Sequence, residues 1–224
     1  MRRIQKNTFY LYENDISKYL EEKSSARHVK TIYEAIPGQL SKENKRFVFA
    51  DLSESLRFTH LETAFDWLIH AGVALPVYRT SEPQFPLAFS KKQSSFKFFL
   101  NDIGLLTSRL MGSASLDILN KKANINFGAV FENAAAQELK GQGHNLYYYN
   151  SKGLGEVDFL IENTQGDVTL VEIKSGRHYR GHATIDKLLA VDNYSFKDAL
   201  VFCEGNIEKS GLITYLPIYL IGCL

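Results

Sequence analysis

Two carboxylates and one lysine lie within stretches that otherwise have the composition of buried β-strands. Asp158 interrupts the apolar run 155–161, and Glu172 and Lys174 stand one residue apart at the end of the run 168–174. Side chains two positions apart on a strand project from the same face, so Glu172 and Lys174 point together. Charges in an apolar sheet are costly unless they pair or hold a metal ion. This pattern therefore indicates a functional site.

The elements that must position these three charges form a predicted hairpin. Residues 155–161 and 168–173 are rich in β-branched and aromatic side chains, which predicts two strands. The segment 162–167 between them is polar and predicts a turn. Such a hairpin brings Asp158 alongside the other two charged residues.

The spacing of these residues matches a nuclease motif. Asp158 and Glu172 lie 172 − 158 = 14 residues apart, and Glu172-Ile173-Lys174 forms an E-x-K triplet. The pattern resembles the PD-(D/E)XK nuclease family, which has the restriction-endonuclease-like fold. The resemblance implies that Asp158 and Glu172 bind Mg²⁺ or Mn²⁺ and that Lys174 activates or orients the attacking water. Val157 departs from the motif, which has proline before the aspartate.

A further acid of that family has a counterpart in Glu132, on a helix predicted over residues 128–139. The resemblance implies that Glu132 completes the metal site, through water or at a second metal ion. The alternative is a polar cluster, joined by Glu156, inherited from a nuclease fold that no longer cleaves. The implied catalytic residues are Glu132, Asp158, Glu172 and Lys174, of which the three carboxylates are the implied metal ligands.

A second resemblance covers roughly residues 10–220. The segments that carry it are 36–44, 96–106, 131–133, 156–159 and 171–176. They are similar to the C-terminal part of a family of prokaryotic AAA-type ATPases, which combine a P-loop ATPase, a winged-helix-like segment and a PD-(D/E)XK-type domain of unknown function. No G-x-x-x-x-G-K-[ST] motif occurs, so no ATP site is expected. The chain is then a truncated piece, a natural fragment or a diverged member, and a separate or truncated ATPase domain is an expected partner.

The predicted fold is α/β with two domains. A helical, winged-helix-like domain is predicted over residues 1–112, and a restriction-endonuclease-like mixed sheet flanked by helices over 113–224. Residues 112–126 are polar and weakly patterned, and they predict the link.

The winged-helix pattern consists of a helix over residues 60–71 and strands over 73–78 and 96–100. Such a module can bind DNA or serve as a structural and docking element. Glu62 and Asp66 on its helix would repel phosphates, which favours the second interpretation.

Proline residues predict where a helix stops and which strands lie at an irregular position in the sheet. Pro37-Gly38 is expected to stop a helix over residues 25–36. Pro76 predicts an edge strand or a bulge, and Pro217 predicts an edge strand, because proline cannot donate to a sheet ladder. A later helix is predicted over residues 183–194.

The bulk composition is that of a globular protein, with 45% hydrophobic residues and no apolar run of membrane-spanning length. The net charge is +1, but residues 1–112 carry 16 − 12 = +4 and residues 113–224 carry 10 − 13 = −3. This balance differs from that of a DNA-coating protein. Two distant cysteines and no visible secretory signal predict a cytoplasmic location.

The segment after the triplet holds weaker candidates. His178 and His182 are four apart and either share a metal or are exposed polar residues near a nucleic-acid backbone. The cations there either contact phosphates or form a solvated helix start; they are Arg177, Arg180 and Lys187, with Ser175 as a lesser phosphate contact. The run 147–149, three tyrosines, is interpreted mainly as core.

Two functions from different classes remain open. The first is a Mg²⁺-dependent DNA endonuclease. The second is a catalytically silent interaction module that couples an ATPase to a partner or to DNA.

Overall fold

The computed structural model describes residues 2–20, 23–110 and 127–224. The chain forms two compact units: Met1–Pro76 with Lys97–Val130, and Val77–Phe96 with Phe131–Leu224. The predicted division at residue 112 is continuous in sequence, whereas the second unit takes in the earlier segment Val77–Phe96. The predicted link, residues 112–126, lies outside the described residues.

The first unit is built from helices: α1 (Arg2–Tyr19), α2 (Lys23–Leu40), α3 (Phe58–His70) and α4 (Ile103–Leu110). Helix α2 packs against α3, and α1 packs against α4. Aromatic rings fill its core, with Phe9 stacked on Tyr33 at 4.3 Å and Phe65 edge-on to Phe98 at 5.1 Å. No helix in these described ranges is both long enough and apolar enough to cross a membrane.

The expected helix stop at Pro37 was wrong. Helix α2 continues to Leu40, because Ile36 and Leu40 lie four apart and both are fully buried. Gln39 then fixes the helix end: its side chain accepts from the Val48 N–H and donates to the Val48 carbonyl, both at 3.2 Å. These contacts with a later segment outweigh the hydrogen bond that proline removes.

The strands form one mixed eight-stranded sheet in the order β2-β1-β3-β4-β5-β6-β8-β7. Antiparallel pairing joins β3 to β4, β4 to β5 and β7 to β8, whereas β1–β3, β5–β6 and β6–β8 are parallel. The protein is therefore of the mixed α/β class. The strands are β1 (Ala74–Thr80), β2 (Lys91–Leu100), β3 (Tyr147–Ser151), β4 (Gly155–Glu162), β5 (Val168–Ile173), β6 (Asp198–Cys203), β7 (Glu208–Ser210) and β8 (Ile213–Pro217).

Two further helices flank this part of the chain. Helix α5 (Gly128–Gly141) precedes β3, and α6 (Ala183–Leu189) connects β5 to β6 and packs on β4. Helix α6 is shorter than the prediction over 183–194, since Ala190 closes it. Short 3₁₀ turns cover Phe49–Asp51, Leu87–Ser90 and Ile218–Cys223.

Neither strand that contains a predicted edge proline lies at an edge of the sheet, so the edge alternative for Pro76 and the edge prediction for Pro217 were wrong. Strand β1 lies between β2 and β3, and β8 lies between β6 and β7. Each proline nevertheless lies outside the pairing with one neighbouring strand. The pairing of β1 with β3 begins at Tyr78, beyond Pro76. The pairing of β8 with β7 ends at Tyr215, before Pro217.

Candidate functional site

The predicted hairpin is present as β4 and β5. Their antiparallel register pairs Phe159 with Val171 and Leu160 with Leu170. This pairing ends at Phe159 and Val171, and the next residues along the two strands are Asp158 on β4 and Glu172 on β5. The hairpin therefore brings the two carboxylate residues to the same end of the β4–β5 ladder.

A β-bulge on β4 coincides with Asp158. On the other side of β4, Tyr147 pairs with Leu160 and Tyr149 with Val157, so three steps on β4 match two on β3. Such a bulge twists the strand and redirects a side chain, and it is common beside active sites. The sheet is therefore locally irregular at the point where the motif places its aspartate.

The end of β5 is held from both neighbouring strands. The N–H of Ile173 donates to Oδ2 of Asp158 at 2.9 Å. The N–H of Lys174 donates to the carbonyl of Phe202 on β6 at 2.8 Å. Asp158 thus takes the place of a main-chain acceptor where the β4–β5 ladder ends, and the E-x-K backbone is fixed on both sides.

Glu172 and Lys174 form an ion pair at 2.7 Å between Nζ and Oε1. Their side chains are 12% and 26% exposed, so the pair is screened from water much more than a surface pair. The alternation of β5 places Glu172 on the face of Val168 and Leu170, which belong to the core packed beneath α6. The Lys174 ammonium therefore lies beside the Glu172 carboxylate at the rim of an apolar layer.

Glu132 lies on α5, 5% exposed, next to the fully buried Asn133. Within residues 2–20, 23–110 and 127–224, no group of three or more His, Cys, Asp or Glu side chains is close enough to hold a metal ion. The geometry therefore places the predicted ligands Asp158 and Glu172 together on one hairpin and leaves Glu132 outside a three-acid cluster.

The donor set suits a hard, oxygen-seeking cation. Mg²⁺ is commonly bound by one or two carboxylates and keeps several waters. Asp158 and Glu172 supply two carboxylates at one end of the hairpin, and Lys174 supplies a cation that can neutralise developing negative charge. An ion here would compete with Lys174 for Glu172.

His182 corrects the expectation that both histidines are exposed. His178 is exposed, but His182 is only 8% exposed. Its Nε2 lies 2.6 Å from the hydroxyl of Tyr215, and its Nδ1 lies 3.1 Å from Asp186. Burial raises the pKa of Tyr215, so this hydroxyl stays protonated and can hydrogen-bond to the ring.

The tyrosine run 147–149 is core, as predicted, since all three rings are buried. Glu156 bonds to Asn150 on the neighbouring strand rather than standing alone. Glu62 and Asp66 are exposed on α3, as expected. Both cysteines, Cys203 and Cys223, are free.

Three features of the site escaped the sequence reasoning. They are the bulge at Asp158, the N–H of Ile173 as its partner, and the contact of His182 with Tyr215. Each depends on which strands become neighbours. The signal available in sequence was indirect: Tyr215 shares a strand face with the apolar Ile213, two residues earlier, which predicts an inward ring.

Two family models match the chain. Residues 127–221 match a family described as a domain of unknown function (DUF4143). Residues 1–116 match another described as a domain of unknown function (DUF8612). No curated protein and no solved structure matches the chain. Because residues 1–116 make up more than half of the 224 residues, the chain belongs to the DUF8612 family.

Proposed function

We propose that the second unit is a PD-(D/E)XK-type nuclease domain that hydrolyses DNA phosphodiester bonds with Mg²⁺ or Mn²⁺. The observation that carries the proposal is the meeting of three charged residues at the end of the β4–β5 ladder: Asp158 bonds to the Ile173 N–H, and Lys174 pairs with Glu172 at 2.7 Å. Half-buried charges on a sheet are costly, and a metal-dependent site is a physical reason to keep them.

The geometry supports the following roles. Asp158 and Glu172 would hold the metal, which when bound supplies Lewis acidity toward the phosphate and its attacking water. The main chain of Ile173 and Lys174, fixed by Asp158 and Phe202, keeps the lysine ammonium in place to steady developing negative charge. Glu132 would act through water, because no three-acid group forms among the described residues.

The wider proposal concerns architecture and partners. We infer that α3 with β1 and β2 is a winged-helix-like element and that the second unit has the restriction-endonuclease-like arrangement. The order α5-β3-β4-β5-α6-β6 supports the latter. The resemblance to the C-terminal part of AAA-type ATPases makes a separate ATPase domain the expected partner.

A cleavage assay tests the enzyme proposal. Purified chain is incubated with Mn²⁺ or Mg²⁺ on supercoiled, linear and single-stranded DNA, beside Asp158→Asn. The wild type is expected to cleave at least one substrate, and the variant should be inactive. Asparagine keeps an oxygen acceptor for the Ile173 N–H, so loss of activity would reflect lost charge rather than unfolding.

A second candidate is favoured by the ion pair itself. Lys174 already neutralises Glu172 at 2.7 Å, and Asp158 already accepts a main-chain hydrogen bond. Both contacts are what a catalytically silent module for partner or DNA interaction would retain. If the domain is such a module, the wild type should not cleave DNA. The same protein should instead bind an ATPase partner or DNA.

A further inference from the structure

The loop that follows the E-x-K triplet lines an open cavity. Residues Arg177 to Gly181, which lie in sequence between the end of β5 and the start of α6, line this open space of about 430 Å³. Two of the lining residues carry guanidinium groups, and His178 adds a ring N–H donor. The cavity is therefore lined by groups that suit an anion.

Arg180 already contacts other side chains of the same chain. Its Nη2 lies 2.6 Å from Oε2 of Glu208, and its guanidinium lies 5.5 Å from the ring centre of Tyr215 and 5.7 Å from that of Tyr179. The two tyrosine rings meet edge to face at 5.7 Å. Arg180 therefore holds the loop against β7 and β8 rather than offering a free charge.

Two further contacts fix the loop's position. His182 follows directly and bonds to the same Tyr215 hydroxyl at 2.6 Å. Gly205 lets the loop approach β6, since a Cβ there would lie 3.0 Å from the Tyr179 hydroxyl. The loop is thus anchored at Tyr179, Arg180 and His182, and its preceding part is left to face the cavity.

Arg177 and His178 are the exposed residues of that part. In the portion of the chain that the structure describes, no ion pair engages Arg177. Two residues separate Arg177 from Lys174, so the Cα atoms of Arg177 and Lys174 are at most about 11 Å apart. Arg177 therefore lies close to the E-x-K end of β5.

We propose that Arg177 and His178 bind a backbone phosphate of a nucleic-acid strand that passes the E-x-K end of β5. The proposal rests on the proposed nuclease function and adds where its substrate strand runs. Arg180, Tyr179 and Tyr215 are positioning residues for this contact. Lys187 does not line the cavity and is assigned no part in it.

Binding without cleavage tests this assignment. The anisotropy of short fluorescein-labelled DNA, duplex and single-stranded, is titrated with the full chain in EDTA at several salt concentrations. Arg177→Ala is expected to weaken affinity about three- to tenfold and to lower the slope of log K against log salt by about one. His178→Ala should weaken it less. Lys92→Ala, an exposed cation on β2, is the matched control and should bind like the wild type.

The two proposals fail in different ways. Equal binding by the wild type and the Arg177→Ala/His178→Ala double variant, or no binding of either DNA by the wild type, would overturn the phosphate contact. Cleavage in Mn²⁺ is read separately on the same proteins. If the wild type binds DNA through Arg177 but never cleaves it, the contact stands and the nuclease proposal falls. Thermal unfolding confirms that the variants are folded.

Discussion

The β4–β5 hairpin carries an aspartate near each end, and the two ends use it differently. At the turn end, Asn163 accepts from the N–H groups of Gln165 and Asp167 at 3.0 Å and donates to the Asp167 carboxylate at 2.8 Å. Lys197 lies 3.5 Å away from that carboxylate. At the other end, Asp158 accepts the N–H of Ile173 beside the Glu172–Lys174 pair.

The two ends of the hairpin differ in what their aspartates do: one completes a turn, and the other lies in the candidate site. The turn is a self-contained motif in which a short polar side chain satisfies local main-chain donors, at little desolvation cost. The other end concentrates two carboxylates and an ammonium where the β4–β5 ladder ends, next to a bulge. A turn explains the first arrangement completely, whereas sheet architecture alone gives no reason for the second. The following predictions test that difference.

The largest expected effect is on catalysis. Glu172→Gln should lower the rate of DNA cleavage by about 1,000-fold, because the metal site loses a charge. Asp167→Asn at the turn end is the matched change and should leave the rate within about twofold of the wild type. Single-turnover cleavage in Mn²⁺ measures both. Similar losses of cleavage rate in the two variants would show that the two ends of the hairpin do not differ in function.

Replacement of the lysine separates the metal site from the ion pair. Lys174→Met should reduce cleavage by about 100-fold, as for the loss of one electrostatic donor. Metal affinity should be unchanged or tighter, because Nζ no longer competes for Glu172. Cleavage and calorimetric metal titration are measured on the same preparation. Metal binding that disappears together with Lys174 would argue that the lysine organises the site.

Two glycines with positive φ allow a stability comparison of the ends. Gly155 (φ 108°) begins β4 and Gly166 (φ 89°) lies in the turn. An added Cβ at Gly155 overlaps Oγ1 of Thr184, whereas at Gly166 it meets Phe85 at 3.3 Å. Gly155→Ala should cost about 3 kcal/mol and Gly166→Ala about 1 kcal/mol in free energy of unfolding.

Urea denaturation measures both values. Adding Thr184→Ala to Gly155→Ala removes the overlap and should recover part of the loss. If the added substitution recovers nothing, backbone strain alone accounts for the cost at Gly155. Equal costs at the two glycines would mean that the site end is no more tightly packed than the turn.

The smallest effect concerns pH at the turn. The hydrogen bond from Asn163, aided by Lys197, lowers the pKa of Asp167 below 3.8. A carboxyl whose pKa is lower in the folded state stabilises the fold above its unfolded pKa, and loses this contribution as pH falls through the folded value. The stability difference between the wild type and Asp167→Asn should therefore shrink below about pH 4. A difference independent of pH would show that the carboxylate charge has no role in the turn.

The hairpin was predictable because its information is local. The β-branched and aromatic composition predicted both strands, and the polar segment between them predicted the turn. The alternation of side chains along a strand predicted that Glu172 and Lys174 share a face. The bulge was not predictable, since it arises from the register between β3 and β4. Likewise, the burial of His182 depends on Tyr215, which lies 33 residues further along the chain.

The proline errors have the same origin. Pro37 was expected to end α2, but contacts of Gln39 with Val48 and the burial of Leu40 extend it. Local propensity predicted that each helix or strand would form. Contacts with residues distant in sequence determined where each element ends. The same limit applies to Glu132, whose placement relative to the hairpin depends on helix packing rather than spacing.

The most direct test of the metal-site account is calorimetric titration of the wild type with Mn²⁺, beside Asp158→Asn, Glu172→Gln and the turn variant Asp167→Asn. The account predicts saturable binding by the wild type and by Asp167→Asn, and its loss in both site variants. Absence of saturable binding in the wild type, or equal binding by all four proteins, would contradict it. The Glu172–Lys174 pair would then be explained as part of a silent interaction module.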